Sequence, residues 1–197
     1  MTTQTFTGAA RRRQILDGAI SAVNEVGYPR ASLAEIARRA DVAKSAVVYY
    51  FGSRDALLMH VLEHVFGHLE TALAAAVAPH EGPTARLRAY VEAYLHHLDT
   101  HRPEISAGVE IAVSHRDAKG TPVYLVVSEE DSALLRGILG DGMASGELRR
   151  MPLDVAVSLV EHLIDAPTTL LERDLDADLA PMLAEIPGLV LRGLAAD

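Results

Sequence analysis

The fold is decided by the stretch SLAEIARRADVAKSAVVYYFGSRDALL, residues 32–58. Ser32 and Glu35 form an S-x-x-E capping box, in which each side chain bonds the backbone N–H of the other residue and a helix begins. The apolar pattern of this helix stops after about two turns. A second short helix is predicted from Lys44, ends at Gly52 and leads into a longer helix. Two short helices joined by a tight turn form a helix-turn-helix.

Helical periodicity continues through the rest of the chain. Apolar residues recur at helical intervals in about nine predicted helices, without a notable strand signal or an internal repeat. Ala, Leu and Val dominate, and aromatic residues make up only 5%, which favours helices over sheets. The sequence therefore predicts an all-α protein in two parts. Residues 1–53 form a three-helix DNA-binding domain, in which residues 1–8 are expected to be disordered, and residues 54–197 form a larger helical domain.

The composition excludes several classes of protein. The chain has no Cys, so it has neither a disulfide framework nor a thiolate metal site. The N-terminal sequence MTTQTFTGAA lacks the apolar core of a signal peptide, and no run of about 18 apolar residues predicts a membrane span. We expect a cytoplasmic protein that does not bind membranes. Phosphate-loop, H-E-x-x-H and G-x-S-x-G motifs are missing, so neither an enzyme nor a cofactor is expected.

Charge is divided unevenly along the chain. Residues 1–58 carry a formal charge of +3 and the remainder −12, within a net charge of −9. A basic end on an acidic body indicates that this end meets a polyanion, although a chance scatter of solvated charges explains the charge alone equally well. The second helix of the motif begins with small side chains that can enter a major groove, so double-stranded DNA is the expected partner. The predicted DNA contacts are Ser32, Ala43, Lys44, Ser45, Ala46, Tyr49, Tyr50 and Arg54.

These contacts differ in what they can recognise. Lys44 and Ser45 can hydrogen-bond base edges or phosphates, and Ala46 can touch a thymine methyl group. The tyrosine hydroxyls toward the far end of the helix lie where phosphate oxygens are expected. Arg54 adds a positive charge beside a helix N-terminus, which itself attracts anions.

The competing interpretation of the motif is a helical hairpin whose aromatic residues belong to the core. Phe51 is expected to be buried under either interpretation. Tyr49 and Tyr50 are adjacent on a helix and face about 100° apart, so one is expected to be buried and the other exposed.

The opening stretch resembles the N-terminal signature of the tetracycline-repressor (TetR) family of transcription regulators, T-x-x-x-I-A-x-x-A-G-V-S-x-x-x-L-Y-x-Y-F followed by x-x-K-x-x-L. The close match covers about 50 residues, from Arg11 to Leu58. The remaining residues match in length and helix count alone. The fitting residues are Ser32, Ile36, Ala37, Ala40, Val42, Val47, Tyr50, Phe51 and Leu57.

Several positions depart from the family pattern. Asp41 stands where the turn usually has Gly, which predicts an Asp in the left-handed conformation. Ala43 replaces the common Ser cap and removes a capping bond. Val48 replaces the first aromatic residue, Tyr49 occupies the variable place between the two aromatics, and Arg54 takes the place of the usual lysine.

The resemblance implies a ligand-responsive regulator, expected to be a repressor that binds a palindromic operator as a homodimer and is released by a small-molecule effector. The alternative is a DNA-binding or nucleoid-type protein without effector control. The resemblance also implies that the last two predicted helices, residues 153–171 and about 178–194, form a four-helix bundle with a second copy. Candidate interface residues, each equally well explained as intrachain core, are Val155, Leu159, Leu163, Leu170, Met182, Ile186, Val190 and Leu194.

An effector pocket is expected where polar groups interrupt the apolar runs of the later helices. His162 and Asp165 are three residues apart and share a helix face. Buried Tyr and His are also common as satisfied core residues, so ordinary packing is the competing interpretation. The candidate effector residues are Tyr90, Tyr94, His97, Glu110, Tyr124, His162 and Asp165.

Nine histidines raise the question of a metal site. His60, His64 and His68 form one stripe, but they span about 12 Å along a straight helix, too far for one ion to bind all three. We therefore interpret them as exposed histidines and expect no metal. A second cluster comprises His96, His97 and His101.

Overall fold

The computed structural model describes residues 2–126 and 132–196, and these residues confirm the all-α prediction: they hold helices and two isolated β-bridges. Short 3₁₀ turns occupy Tyr28–Arg30 and Val123–Val126. The helices are α1 (Thr2–Val26), α2 (Leu33–Arg39), α3 (Lys44–Phe51), α4 (Arg54–Val77), α5 (Pro83–Thr100), α6 (Arg102–Ser114), α7 (Ala133–Ser145), α8 (Leu153–Asp165), α9 (Thr168–Leu171) and α10 (Ala180–Leu194).

The chain forms two compact units. The N-terminal unit comprises Met1–Gly67 and Pro103–Leu125, and the C-terminal unit comprises His68–Arg102 and Val126–Asp197. This division differs from the predicted boundary after residue 53. The first turns of α4 bury Leu57 completely within the N-terminal unit, and α6 returns to that unit from far along the chain. A sequence motif that ends near residue 58 cannot reveal this return.

Helix α1 is longer than its apolar pattern predicts. The backbone is helical from Thr2, whereas the sequence analysis expected disorder over residues 1–8, and Met1 lies outside the described residues. Apolar periodicity begins only near Ile15, but an established helix extends at little cost because each added residue makes one more backbone hydrogen bond. The helix ends at Gly27, whose φ of 82° suits glycine and whose N–H bonds the Val23 carbonyl at 2.9 Å.

The later helices differ from prediction mainly at their ends. Helix α7 begins at Ala133, with Ser132 at its N-cap, and before it the Asp117 carboxylate accepts two backbone N–H bonds in a tight turn that precedes Pro122. Pro167 separates α8 from α9, as its lack of an N–H predicts. Helix α10, in contrast, continues through Pro187. Among the described helices, none combines the length and apolarity needed to cross a bilayer.

Candidate nucleic-acid interface and effector site

The helix-turn-helix forms at the predicted residues. The Ser32 hydroxyl accepts the Glu35 backbone N–H at 3.2 Å, which places Ser32 at the N-cap of α2. Asp41 has a φ of 49°, so it carries the left-handed turn that glycine would otherwise supply. Ala43 is the N-cap of α3 and makes no side-chain capping bond. The turn between α2 and α3 therefore uses Asp41 for its geometry and leaves the first N–H groups of α3 without a side-chain partner.

Helix α1 holds the turn in place through two close contacts. A Cβ atom on Gly18 would lie 2.7 Å from the Ala40 Cβ, so the backbones of α1 and the turn approach more closely than any larger residue allows. The Gln14 side-chain amide donates to the Ala40 carbonyl at 2.6 Å and satisfies one of the last carbonyls of α2. Together these contacts position α3 relative to α1.

Helix α3 buries one face and exposes the other. Val47 is completely buried and Phe51 is 7% exposed, so these two residues anchor the helix. Lys44 and Ser45 lie exposed at its N-terminus, and Ala46 is half-buried. The exposed N-terminal half of a recognition helix is the part that reaches base edges. The predicted base-reading residues therefore lie on the accessible side of the helix.

Tyr49 and Tyr50 differ in exposure nearly as their adjacent positions on the helix predict. Tyr49 is 83% exposed, whereas Tyr50 is half-buried rather than buried. Their rings meet edge to face with centroids 5.1 Å apart, so Tyr50 supports the ring of Tyr49. Val48, where the family pattern has an aromatic residue, is 43% exposed. Helix α3 thus presents an apolar and aromatic surface beside its polar N-terminus.

Arg54 has a different role from the predicted phosphate contact. Its Nε donates to the Ala31 carbonyl at 2.8 Å, another guanidinium nitrogen donates to the Tyr28 carbonyl, and the group lies 4.4 Å above the Tyr28 ring. These contacts commit much of the guanidinium to the 3₁₀ turn between α1 and α2. The spacing of the motif could not predict this orientation, because the carbonyls that Arg54 meets lie more than twenty residues earlier.

Arg12 is a basic residue of this surface that the sequence analysis missed. It is exposed, its guanidinium lies 5.2 Å from the centroid of the Phe51 ring, and it donates to the Tyr50 carbonyl at 3.4 Å. The signal was present in the run of three arginines at residues 11–13, because clustered basic residues near a helix-turn-helix are typical of a phosphate-contacting surface.

Other arginines of the N-terminal unit are neutralised within it. Arg38 and Arg39 both donate to the Glu35 carboxylate, and these hydrogen bonds lower the pKa of Glu35 to about 2. Arg39 also pairs with Glu25, whose pKa its hydrogen bond lowers, and bonds the Ser21 hydroxyl at 2.9 Å. This network joins α1 to α2. Part of the basic charge of the N-terminal sequence therefore forms ion pairs within the fold.

In the C-terminal unit, two of the predicted effector residues meet directly. The Tyr94 hydroxyl on α5 donates to the Asp165 carboxylate at the end of α8. Burial raises the pKa of Tyr94, and Asp165 raises it further. Burial also raises the pKa of Asp165, although the side chain keeps accessible surface.

Two further residues belong to this cluster. Tyr90 lies one turn before Tyr94 and is only 7% exposed, and burial followed by the charge of Glu161 raises its pKa. Glu161 lies one turn before Asp165 and accepts a hydrogen bond from the Ser132 hydroxyl at 2.5 Å. The sequence analysis named Tyr90 but missed Glu161, although the i, i+4 spacing of Glu161 and Asp165 signals a shared helix face.

The remaining effector candidates lie elsewhere. His162 is exposed, and its Nδ1 lies 2.7 Å from the Ser158 carbonyl. His97 is buried and stacks on His101 with ring centroids 4.0 Å apart. Glu110 and Tyr124 belong to the N-terminal unit, where the Glu110 carboxylate accepts the Tyr28 N–H at 2.5 Å. Of the seven predicted effector residues, three therefore belong to one cluster: Tyr90, Tyr94 and Asp165.

Two other features of the described residues bear on ligand binding. An open groove of about 570 Å³ borders Val77, His80, Arg86 and Leu134, and it includes none of the predicted effector residues. Across residues 2–126 and 132–196, no group of three or more His, Asp or Glu side chains is arranged to hold a metal ion. In the first histidine stripe, the Nδ1 of His60 pairs with Glu63 at 2.7 Å.

The candidate interface residues of the last helices separate into two sets. Val155 and Leu159 are 46% and 51% exposed, which is unusual for large apolar side chains on one face of a helix. Ile186, Val190 and Leu194 are buried within the chain, so their predicted place in a dimer interface is wrong and they form intrachain core. An amphipathic stripe alone does not tell which partner covers it. Leu163, Leu170 and Met182 are half-buried, and Leu189, which was not predicted, is 49% exposed.

A family model supports what the geometry of α2 and α3 indicates. Residues 15–61 match the model described as bacterial regulatory proteins, tetR family. This segment of the chain is similar to the DNA-binding region of the TetR family. The matched residues span the second half of α1, all of α2 and α3, and the beginning of α4, so the match covers the helix-turn-helix.

Curated relatives of this chain include the HTH-type transcriptional regulator BetI of Burkholderia cenocepacia, 38% identical over 84 residues. The match covers 42% of this chain and 43% of that protein, so it spans less than half the length of the relative. A BetI protein of Burkholderia ambifaria matches at the same identity and coverage.

Solved structures share the fold over nearly the whole chain. The fatty acid degradation regulator FadR of Bacillus halodurans superposes with a TM-score of 0.80 at 19% identity, over 95% of this chain and 97% of that one. FadR of Bacillus subtilis in complex with stearoyl-CoA gives 0.77 at 19%, over 92% and 98%. The TetR-family regulator PfmR of Thermus thermophilus gives 0.75 at 21%, over 90% and 97%. At these identities the likeness concerns the fold alone.

Proposed function

We propose that this chain is a TetR-family repressor that binds a palindromic operator as a homodimer and leaves the DNA when a small molecule binds its C-terminal unit. The observation that carries the DNA half of the proposal is the exposed surface of α3. Lys44, Ser45 and Tyr49 are exposed there while Val47 and Phe51 anchor the helix. Side chains that are accessible and not required for packing are free to contact DNA.

The exposed apolar faces of α8 and α10 support the dimer. Val155, Leu159 and Leu189 expose about half of their surface each. Large apolar side chains grouped on helix faces indicate a protein–protein contact, and a second copy of the same chain is the commonest partner for such a face. A symmetric dimer places two α3 helices on one DNA molecule, which accounts for a palindromic site.

The cluster around Tyr94 and Asp165 supports effector control. The Tyr94 hydroxyl on α5 donates to the accessible Asp165 at the end of α8, and burial together with the charge of Glu161 raises the pKa of Tyr90. Ligand sites typically combine apolar walls with a few convergent polar groups. A DNA-binding or nucleoid-type protein without effector control is the alternative, and it requires no such cluster.

The test begins with DNA selected from a random pool by the wild-type protein, from which a palindrome is expected. Replacing Lys44 and Tyr49 together by Ala removes one charge and one hydroxyl from each α3. Each lost contact costs about 1–3 kcal/mol and is lost twice in a dimer, so operator affinity is expected to fall by roughly a hundredfold or more. Fluorescence anisotropy with the selected operator measures the change.

The chain offers a matched control, because Lys119 is exposed in a turn far along the sequence and is the only other lysine. Lys119→Ala is expected to keep operator affinity near wild type. Helix content measured by circular dichroism should stay unchanged in both variants. Wild-type affinity should also fall steeply as salt rises, because basic contacts release counterions. Wild-type operator binding by the double variant would disprove the assignment of α3.

A further inference from the structure

The exposed side of α3 carries an apolar side chain that the proposed DNA contacts do not explain. Val48 is 43% exposed, and Lys44, Ser45 and Tyr49 are exposed around it. Successive residues of an α-helix lie about 100° apart, so Val48 shares a helix face with Lys44, one turn before it. The isopropyl group of Val48 therefore lies within the surface that is proposed to contact DNA.

The stability of the fold does not account for a valine at this position. Val47 and Phe51 are the buried anchors of α3, whereas Val48 leaves nearly half of its surface in water. A β-branched side chain also has a lower helix propensity than alanine, which matters in a helix of only eight residues. Alanine would serve the fold at least as well, so the isopropyl group is available for a contact outside the chain.

The chemistry of the major groove decides which contact suits such a side chain. The 5-methyl group of thymine is the apolar group that the base pairs present there, and the other exposed positions are hydrogen-bond donors and acceptors. A valine that covers a donor or acceptor removes its water without replacing the lost hydrogen bond, which costs free energy. An isopropyl group in this groove therefore favours thymine over the other bases.

We propose that Val48 selects thymine in each operator half-site, through contact of its isopropyl group with the thymine 5-methyl group. The proposal rests on the proposed operator binding and names one feature of the operator sequence. The sequence analysis gave a thymine contact to Ala46, but Ala46 is half-buried and short, whereas Val48 is exposed and extends further from the helix. The TetR pattern has an aromatic residue at this position, so the preference is a property of this chain.

Lys44 and Val48 are expected to contribute in different ways, although they share a helix face. A lysine that contacts phosphate strengthens binding to every DNA sequence and releases counterions, so its contribution falls as salt rises. Val48 carries no charge, so its contribution should depend on the base sequence and not on salt. This difference separates a specificity-determining contact from a general loss of DNA binding.

Replacement of thymine by uracil in the operator tests the contact, because uracil lacks only the 5-methyl group. Each thymine of the operator selected by wild type is replaced in turn at both symmetry-related positions, and fluorescence anisotropy measures the affinity. At one thymine the wild-type affinity is expected to fall roughly tenfold, because a contact comparable to a buried CH₂ group is lost in each half-site. The same replacement should have little effect on the Val48→Ala variant, which has already lost the contact.

Val113 provides the matched control, because it is 49% exposed on α6 within the same unit and lies outside the helix-turn-helix. Val113→Ala is expected to respond to every thymine replacement as wild type does. Val48→Ala should keep its helix content in circular dichroism, because alanine favours helices. It should also keep the wild-type salt dependence of operator binding, whereas Lys44→Ala should reduce that dependence.

The outcomes separate this contact from operator binding itself. Equal responses of wild type and Val48→Ala to every thymine replacement would overturn the thymine contact. Random-pool selection with Val48→Ala that recovers thymine at every position as often as wild type does would also overturn it. Both outcomes leave operator binding by α3 intact. Failure of wild type to select any DNA would instead overturn the proposed function, and this contact with it.

Discussion

The two units of the chain relate differently to known proteins. The family model covers residues 15–61, all within the N-terminal unit, whereas the solved structures share the whole fold at only 19–21% identity. DNA presents the same backbone and groove to every regulator, so the part that binds it is held to one geometry. A C-terminal unit of one fold can instead line its interior with different side chains and receive different ligands.

The packing of each unit fits this difference. In the N-terminal unit, Gly18 and Ala40 touch backbone to backbone, and Arg54 binds two carbonyls of the preceding turn. In the C-terminal unit, Asp165 stays accessible and accepts the Tyr94 hydroxyl. The first unit is held by close backbone packing around its turn, whereas the second places a hydrogen-bonded carboxylate, Asp165, at its surface.

The largest effect on DNA binding is expected from Leu159→Glu. This substitution tests whether the C-terminal unit contributes to DNA binding by joining two copies of the chain. A carboxylate on the exposed face of α8 would be buried without a partner in each half of a dimer, which costs several kcal/mol. Wild type is expected to sediment as a dimer at micromolar concentration and the variant as a monomer. Operator affinity should fall when the dimer is lost, because two linked DNA-binding units bind more tightly than one.

Leu125 is 61% exposed in the N-terminal unit and provides the control substitution Leu125→Glu, which should leave the dimer intact. A wild-type monomer at micromolar concentration, or a Leu159→Glu variant that still sediments as a dimer, would contradict the assignment of this face.

A smaller, local effect is expected from Gly18→Ala, which tests how tightly the N-terminal unit is packed. The new Cβ would lie 2.7 Å from the Ala40 Cβ and 2.9 Å from its backbone nitrogen, so α1 or the turn must shift. Overpacking of this kind costs about 1–3 kcal/mol of unfolding free energy. Urea denaturation measures the loss, and operator affinity should decrease because the position of α3 depends on this contact.

Gly67 provides the comparison, because a Cβ added there meets nothing within 4 Å in helix α4. Gly67→Ala is expected to raise the unfolding free energy by about 0.5–1 kcal/mol through helix propensity. Equal stability changes in the two variants would show that the contact at Gly18 is not a constraint.

The smallest effect concerns the ion pairs of Glu35. The hydrogen bonds from Arg38 and Arg39 lower the pKa of Glu35 from its ordinary 4.5 to about 2, so its contribution to stability is present above pH 4.5 and is lost as pH falls toward 2. The stability difference between wild type and Glu35→Gln should therefore shrink over this window, and also at high salt, since these side chains are solvated. Urea midpoints at several pH values measure it.

Asp17→Asn is the control for Glu35→Gln, because Asp17 has a single exposed partner, Arg13, at 2.8 Å on the same helix. Its effect should be smaller than that of Glu35→Gln at neutral pH. A Glu35→Gln variant whose deficit is independent of pH between 2 and 4.5 would show that the network joining α1 to α2 does not depend on this carboxylate.

The sequence predicts the role of a residue when the group that the residue contacts lies nearby in the chain. Ser32 caps α2 through a residue three positions away, and Asp41 needs only its own backbone conformation, so both were predictable. The partners of Tyr94 and Arg54 lie 71 and more than 20 residues away. Tyr94 and Asp165 were each named as candidates, but their contact could not be predicted from spacing.

The sequence by itself determined the all-α class, the helix-turn-helix with its capped α2 and left-handed Asp41, and the burial of Val47 and Phe51. These features follow from backbone conformations and side-chain spacing within a few residues, which the order of amino acids specifies directly.

Only the tertiary structure decided which apolar stripes became core and where the charged groups point. Ile186 and Val190 are buried within the chain whereas Leu159 stays exposed, although all three lie on amphipathic helices. Arg54 points toward the carbonyls of the turn before α2, and Asp165 meets Tyr94. Burial and hydrogen bonding depend on which distant segment packs against a residue, and helical periodicity does not contain that information.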